Sequence, residues 1–209
     1  MVLHNFIVFE GIDGAGTSTQ LKKLAEKVSG DRLFITSEPT GLPTGVFLRR
    51  MLKGEFSVDE KTAAYLFGAD RCEHVFGTGG IVEQLNSGRL VVSDRYFFST
   101  LAYQSVSCGN ELPRMLNSVF PLPELLFYFR INPEVSFGRV ISRGEKTEIY
   151  EKVDFQQKAA TLYDKIMQEY NGTAAAETMQ LVTLDAVKPI EETAEIIWSY
   201  LKNMPILKS

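Results

Sequence analysis

The feature that most constrains the fold is a short apolar run followed at once by a glycine-rich segment. Residues Phe6 to Phe9 are β-prone, and Gly11, Gly14 and Gly16 come just after them. Apolar residues then recur at helical spacing, at Leu21, Leu24, Ala25 and Val28. The order strand, glycine turn, helix predicts a P-loop, in which backbone N–H groups and the start of the helix surround an anion. The sequence therefore predicts a site for polyphosphate.

The glycine-rich segment meets the pattern G-x-x-x-x-G-K-[ST] at every defined position but one. Gly11, Gly16 and Ser18 match, while Thr17 stands where the pattern has a lysine. A lysine brings a positive charge to the phosphates, whereas a threonine only forms hydrogen bonds. A glycine-rich turn that binds nothing is the alternative, and the flanking strand and helix favour phosphate binding. We expect a phosphate site that takes a cation from elsewhere in the chain.

Composition indicates a globular chain with one domain. Of its 209 residues, 44% are hydrophobic and 23% are charged, which is enough for a sizeable core. The net charge of −4 offers no basic surface for nucleic acid, and apolar runs such as Leu125 to Phe129 are too short to span a bilayer. Cys72 and Cys108 form no metal pattern or disulfide framework, and we expect no signal peptide before the first strand. We expect a cytoplasmic protein that binds neither nucleic acid nor membranes.

Strand and helix patterns alternate along the chain. The predicted strands are 6–9, 32–36, 89–93, 125–131 and 180–184, and the predicted helices are 17–29, 46–52, 61–76, 81–87, 98–106, 110–120, 133–143, 152–170 and 189–202. This alternation predicts an α/β fold with a five-stranded parallel sheet flanked by helices. Ligands of such sheets gather at the carboxyl ends of the strands, where Glu10, Glu38 and Asp94 are expected.

Several stretches together resemble the thymidylate kinase family over nearly the whole chain. They are Phe9-Glu-Gly-Ile-Asp-Gly-Ala-Gly16, Ser37-Glu-Pro39, Leu66-Phe-Gly-Ala-Asp-Arg71, Asp94-Arg-Tyr96, Ser99-Thr-Leu-Ala-Tyr-Gln104 and Arg143-Gly-Glu145. The resemblance implies a P-loop NTPase type of fold, with one nucleoside monophosphate kinase domain over 1–209 and a short lid at about 143–152. It also implies transfer of a phosphoryl group from ATP to dTMP, giving dTDP, with Mg²⁺ and as a homodimer.

The resemblance assigns site residues position by position. Those implied for ATP are Gly11, Ile12, Asp13, Gly14, Ala15, Gly16, Thr17, Ser18, Thr19 and Arg139. Those implied for dTMP are Asp13, Glu38, Arg49, Phe67, Arg71, Arg95, Ser99, Thr100 and Tyr103. Those implied for catalysis are Asp94, Arg95 and Arg143, and those implied for the metal are Ser18 and Asp94. We add Lys146 as a catalytic candidate, because it stands two positions before the lid arginine that this chain lacks.

The chemistry of the residues implied for dTMP agrees with these roles, although each residue also has a purely structural interpretation. In the family, the position of Asp13 accepts a hydrogen bond from the sugar 3′-hydroxyl; an Asx turn is the alternative. Phe67 and Arg71 share a helix face and suit stacking on a base and hydrogen bonding to its edge. Spacing alone would instead favour a core phenylalanine with a surface arginine. Tyr103 matches a residue that packs under the sugar, and core packing is its alternative.

The residues expected near the phosphates combine an acid with several cations. Asp94 ends a buried strand and suits Mg²⁺, while Arg95 suits a clamp on phosphoryl oxygens; a structural ion pair is the alternative. Arg49 matches a residue that reaches the acceptor phosphate. In the lid, Glu148 replaces an arginine of some relatives. We hypothesise that Lys146, or Arg143 and Arg139, supply the charge that Thr17 lacks.

Two other functions remain open at this stage. One is a nucleotide-binding sensor or assembly protein with impaired catalysis, which the missing lysine and lid arginine would explain. The other is a kinase for another deoxynucleoside or deoxynucleotide, which would share the P-loop. The intact acceptor-side motifs favour the enzyme that phosphorylates dTMP.

Overall fold

A computed structural model describes residues 1–142, 149–150, 152–172 and 178–208 of the chain. Within these residues, five strands form one sheet. They are β1 (Val2–Glu10), β2 (Leu33–Ser37), β3 (Leu90–Asp94), β4 (Leu122–Arg130) and β5 (Gln180–Asp185). All neighbouring strands pair in parallel, in the order β2-β3-β1-β4-β5. The predicted fold class is confirmed.

Helices connect the strands and cover the sheet. The first five are α1 (Thr17–Lys27), α2 (Pro43–Leu52), α3 (Glu60–Phe76), α4 (Ile81–Asn86) and α5 (Phe97–Cys108). The others in the described part of the chain are α6 (Glu111–Asn117), α7 (Pro133–Ser142), α8 (Val153–Asn171), α9 (Ile190–Leu201) and α10 (Pro205–Lys208).

Strand β1 is the centre of the core. Its residues Phe6 to Phe9 have no exposed surface, as expected for a parallel strand covered on both faces. β1 pairs with β3 on one side and with β4 on the other, so the later strands are added to both sides of β1. The crevice at the carboxyl end of such a central strand is where α/β sheets bind ligands. The glycine-rich segment follows β1 directly into this crevice.

The element order agrees with the sequence prediction, while several boundaries differ. α2 begins at Pro43 rather than at residue 46, because proline is well placed at the first position of a helix. β4 begins at Leu122 rather than at residue 125 and includes Pro123. Proline is tolerated there because, in the part of the chain that the structure describes, β5 pairs with β4 only from Leu125 onward, so Pro123 has a strand neighbour on one side only. The short helix α10 was not predicted.

None of the helices in the described residues is long and apolar enough to cross a membrane.

Candidate active site

The P-loop is a tight turn between β1 and α1. Gly14 and Gly16 have φ angles of 82° and 97°, a region that favours glycine. A Cβ on Gly14 would lie 2.6 Å from the carbonyl oxygen of Ser136 in α7, and the Ser136 hydroxyl donates to the carbonyl of Asp13. α1 begins after Gly16 without a side-chain cap, which leaves N–H groups at its start for an anion. The turn has the geometry of a phosphate site.

A cavity of about 330 Å³ opens beside the P-loop at the carboxyl ends of β1, β2 and β3. Eleven of the predicted site residues line it: Asp13, Ser18, Glu38, Arg49, Phe67, Arg71, Asp94, Arg95, Ser99, Thr100 and Tyr103. Six further residues complete the wall: Ser37, Pro39, Leu52, Tyr96, Gln104 and Tyr150. The structure therefore brings together all nine residues that the resemblance implied for dTMP.

A second cavity, of about 230 Å³, lies on the other side of the P-loop. Its wall consists of Gly14, Ala15, Gly16, Thr19, Gln20, Phe129, Arg139, Ala186, Lys188, Ile190 and Thr193. Five of these, including Arg139, belong to the set implied for ATP. Gly11, Ile12 and Thr17, also in that set, do not line this cavity; Gly11 and Ile12 are buried beneath the turn. The P-loop thus separates two cavities.

One end of the first cavity is a buried network around Arg71, whose exposure is only 1%. Its Nε and Nη2 donate to Glu38 Oε2 at 3.0 and 2.6 Å, Nη2 donates to Thr100 Oγ1 at 3.0 Å, and Nη1 donates to Asn117. The alternative of a surface arginine is therefore wrong. Within the described residues four of the five guanidinium N–H groups have a partner, and the fifth, on Nη1, has none.

Glu38 is the anionic partner of this network. Its other oxygen, Oε1, lies 2.9 Å from His74 Nδ1, and His74 Nε2 lies 2.7 Å from Thr36 Oγ1. Burial alone would raise the pKa of Glu38, but the charge of Arg71 and the hydrogen bond from His74 hold it below its ordinary value. Glu38 is therefore ionised, and its carboxylate holds the Arg71 guanidinium in place.

The opposite end of the cavity is organised by an ion pair between Asp13 and Arg95. Arg95 Nη2 lies 2.7 Å from Asp13 Oδ1, and Nη1 donates to Gly11 O at 3.0 Å and to Ser99 Oγ at 3.2 Å. The backbone of Arg95 is left-handed, with φ at 72°, which turns its side chain back along the P-loop. The Tyr103 ring lies 5.3 Å from the guanidinium carbon. The Arg95 guanidinium is therefore held in one orientation, with the geometry that a clamp on phosphate oxygens needs.

Ser18 and Asp94, the predicted metal ligands, are in contact. Ser18 Oγ donates to Asp94 Oδ2 at 2.8 Å, while Asp94 Oδ1 is buried without a partner in the described residues. A hydroxyl and a carboxylate, with substrate phosphates to complete the shell, are the oxygen ligands that Mg²⁺ prefers. The residues therefore fit this ion.

Glu10 is a functional candidate that the sequence reasoning did not include among the site residues. Its carboxylate has no exposed surface and accepts from the N–H groups of Tyr96 and Ser99, at 2.8 and 3.2 Å, at the start of α5. It also accepts from the hydroxyls of Ser99 and Tyr163, at 2.7 and 2.8 Å. Burial raises the pKa of Glu10 to about 7, against the opposing effect of the Arg95 charge. The signal available in sequence was a carboxylate that ends an otherwise apolar strand.

Buried amides of the site were also missed. Gln104, 2% exposed, lines the first cavity, and Gln156, 3% exposed, contacts Asp13 and Tyr103 from α8. Gln104 follows the tyrosine of a recognised motif, which was a usable signal. Gln156 lies in a plain amphipathic helix, so no pattern distinguished it from a surface glutamine.

The predicted cations divide into three groups. Arg139 contacts the P-loop, with Nη1 3.4 Å from Gly14 O. Arg49 lines the first cavity and donates to the carbonyls of Pro39 and Thr40, whereas Arg50 pairs with an exposed glutamate away from the cavity. Arg143 and Lys146, with most of the predicted lid at 143–152, lie outside the described residues.

Comparison of the sequence with known protein families identifies the family of the chain. The sequence model of the thymidylate kinase family matches residues 9–197 of the chain. The chain belongs to the thymidylate kinase family. The predicted family is confirmed, and with it the prediction of an enzyme that phosphorylates dTMP.

Individual relatives match this chain over almost its full length. A protein of Treponema pallidum (strain Nichols), provisionally named a thymidylate kinase, is 41% identical over 208 residues, covering 99% of both chains. A similarly named protein of Methanocaldococcus jannaschii is 39% identical over 207 residues, covering 98% of this chain and 100% of its own. The thymidylate kinase of Leptospira borgpetersenii serovar Hardjo-bovis is 35% identical, covering 95% and 94%.

Proposed function

We propose that ATP binds across the P-loop into the second cavity, that dTMP binds in the first, and that the γ-phosphoryl group passes between them. The observation that carries this proposal is the position of the P-loop, whose residues line both cavities. A phosphate oxygen of dTMP attacks the γ-phosphorus, the bond to the bridging oxygen breaks, and dTDP and ADP result. The protein contributes alignment and charge, which account for most of the catalysis in such transfers.

Each end of the first cavity suits one part of dTMP. Phe67 offers a flat ring, and Arg71 and Thr100 offer polar atoms to the base. Asp13 accepts the sugar 3′-hydroxyl, and the bulk of Tyr103 lies under the sugar. Arg49 and Arg95 meet the acceptor phosphate. Ser99 holds Arg95 in place, and Glu38 holds Arg71 at the base end. In this arrangement Arg95 lies between the donor and acceptor phosphates, because it contacts both the P-loop and the cavity.

Mg²⁺ is the proposed cofactor, held by Ser18 directly and by Asp94 directly or through water. The ion would neutralise phosphate charge and align the β- and γ-phosphates when bound. The buried, unpartnered Asp94 Oδ1 supports this role. The Ser18 hydroxyl turns from Asp94 toward the ion in this scheme.

We further propose that one domain over 1–209, with a lid at about 143–152, works as a homodimer in the cytoplasm. Exposed apolar side chains on α3 and α6 support a dimer, since Phe76 is 53% exposed, Met115 59% and the following Val119 73%. Phe76 also stacks on the buried ring of Phe120, with 6.1 Å between the ring centroids. The free thiols of Cys72 and Cys108 support a reducing compartment.

The test of the reaction is ADP release with dTMP, dUMP, dGMP or thymidine as acceptor. We expect Mg²⁺-dependent turnover that is highest with dTMP. Higher turnover with another acceptor would favour the broader deoxynucleotide or deoxynucleoside kinase, and ATP binding without turnover would favour the sensor.

Neighbouring arginines provide a matched control for this assay. We expect Arg49→Met to raise KM for dTMP by about 10-fold or more, because a charge-assisted contact is lost. Arg50→Met, which alters an exposed ion pair away from the cavity, leaves KM for dTMP unchanged. Equal effects of the two substitutions would contradict the assigned phosphate end.

The replacement of the P-loop lysine has its own test. Among Arg139→Met, Arg143→Met and Lys146→Met, we expect the variant that removes the relocated cation to lower kcat by roughly 10²-fold, by analogy with loss of an oxyanion donor. Adding Thr17→Lys to that variant restores kcat, whereas Thr17→Met does not. If no variant is rescued by the restored lysine, the relocated-cation hypothesis is wrong.

A further inference from the structure

Gln156 in α8 is a buried amide that contacts three residues of the first cavity, Asp13, Tyr103 and Tyr150. Its Nε2 donates to Asp13 Oδ2 and to the carbonyl oxygen of Tyr150, both at 2.7 Å. Its Oε1 lies 3.3 Å from the hydroxyl of Tyr103. We propose that Gln156 is a positioning residue that fixes Asp13 for recognition of the acceptor's 3′-hydroxyl. This inference rests on the proposed function and goes beyond it, because it assigns a role to a residue outside the cavity wall.

The orientation of the Gln156 amide is fixed by its partners. A side-chain amide has two N–H donors on one atom and an acceptor on the other. Here both N–H groups face acceptors, Asp13 and the Tyr150 carbonyl, so the flipped amide would place its oxygen against two other oxygens. Because Gln156 is 3% exposed, water cannot replace the lost bonds at low cost. The amide is therefore held with its N–H donor toward Asp13.

The two oxygens of Asp13 are held from opposite sides. Oδ1 accepts from Arg95 Nη2 at 2.7 Å, and Oδ2 accepts from Gln156 and from the Tyr103 hydroxyl at 2.9 Å. Without Gln156, Oδ2 keeps the Tyr103 hydroxyl but loses the amide donor, so the carboxylate is held less firmly and can turn about its contact with Arg95. A turn of this kind moves Oδ1 and Oδ2 relative to the cavity. Gln156 thus determines the angle at which Asp13 meets a ligand.

Gln156 acts through its neighbours and not by direct contact. Asp13, Tyr103 and Tyr150 line the first cavity, whereas Gln156 lies behind them. The Tyr103 hydroxyl has a single hydrogen and two oxygen acceptors, on Asp13 and on Gln156. When a ligand hydroxyl donates to Asp13, the Tyr103 hydrogen can move to Gln156 Oε1, which relieves competition at the carboxylate. The network is therefore suited to a donor on the ligand at this point.

A purely structural role predicts a different result from a positioning role. Loss of packing around Gln156 would weaken every acceptor nucleotide alike. Loss of Asp13 orientation would weaken only nucleotides that carry a 3′-hydroxyl. The informative substrate pair is therefore dTMP and its analogue that lacks the 3′-hydroxyl.

The experiment compares Gln156→Leu with Gln157→Leu, the exposed glutamine next along the same helix. We expect Gln156→Leu to lower kcat/KM for dTMP by about 10-fold or more, to leave kcat/KM for the 3′-deoxy analogue within about 2-fold of wild type, and to leave KM for ATP unchanged. Gln157→Leu changes none of these values. If the leucine variant does not fold, Gln156→Met is measured in the same way.

The experiment distinguishes failure of the proposed dTMP reaction from failure of the role assigned to Gln156. If the wild-type protein does not turn over dTMP, the proposed function fails. If wild type turns over dTMP but Gln156→Leu or Gln156→Met weakens dTMP and the 3′-deoxy analogue equally, or weakens neither, the inference is overturned while the function stands. A selective loss for dTMP supports both.

Discussion

The buried carboxyl of Glu10 makes stability depend on pH, and the size of the effect follows from the structure. Burial raises the pKa of Glu10 from 4.5 to about 7 in the folded chain. The folded state therefore binds the proton more tightly than the unfolded state does. The contribution of this group to stability is fully present below pH 4.5 and is lost as the pH rises through about 7. The difference corresponds to about 3 kcal/mol of unfolding free energy.

The assay is urea unfolding of wild type and Glu10→Gln at several pH values between 4.5 and 8. Glutamine keeps the size of the side chain and an oxygen for the N–H groups of Tyr96 and Ser99, but it does not titrate. Other carboxyls change in both proteins alike, so the difference between the two isolates Glu10. We expect the unfolding free energy of Glu10→Gln, relative to wild type, to rise by about 3 kcal/mol across this pH range.

The hydrogen bond from Tyr163 to the Glu10 carboxyl provides a control. Tyr163→Phe removes a hydrogen bond that lowers the pKa of Glu10, so the pH dependence is kept and its midpoint moves upward. A constant difference between Glu10→Gln and wild type at all pH values would refute the reasoning. It would mean that the carboxyl holds its proton no more tightly in the folded chain than in the unfolded chain.

Three further substitutions test the packing of the site and of its surroundings by urea unfolding. Glu38→Gln leaves the buried Arg71 without its counter-charge, and we expect a loss of about 3–5 kcal/mol; a loss below 1 kcal/mol would show that the network tolerates a neutral partner. Gly45→Ala places a methyl group against the carbonyl oxygen of Thr40, and we expect a loss of about 2–3 kcal/mol; an unchanged unfolding free energy would show that α2 shifts to make room. Arg114→Met removes a half-exposed ion pair with Glu169, and we expect a change within about 1 kcal/mol; a larger loss would give this surface contact a structural role.

The fold was predictable because its signals are local. The apolar run of β1, the glycines after it and the periodic residues of α1 are adjacent in sequence, and each indicates its element independently. The parallel sheet followed from the alternation of such units. The boundaries were less accurate because tertiary pairing sets them: β4 reaches back to Leu122 because β1 pairs with it there.

The site was predictable where motifs carried it and not where the fold assembled it. Arg71 and Arg95 belong to recognisable stretches, and both line the predicted cavity. Spacing alone still gave the wrong surroundings for Arg71, since burial depends on Asn117 and Glu38, each more than 30 residues away. Gln156 is 143 residues from Asp13, and no local pattern could bring the two together.

The contact between Ser136 and the P-loop joins two segments that the sequence separates by more than 120 residues. The Ser136 hydroxyl bonds to the Asp13 carbonyl, and its own carbonyl occupies the space that a side chain on residue 14 would need. α7 therefore cannot tilt without displacing the glycine turn. α7 ends at Ser142, roughly two helical turns after Ser136. A displacement of this end of α7 therefore moves the Ser136 carbonyl relative to the glycine turn.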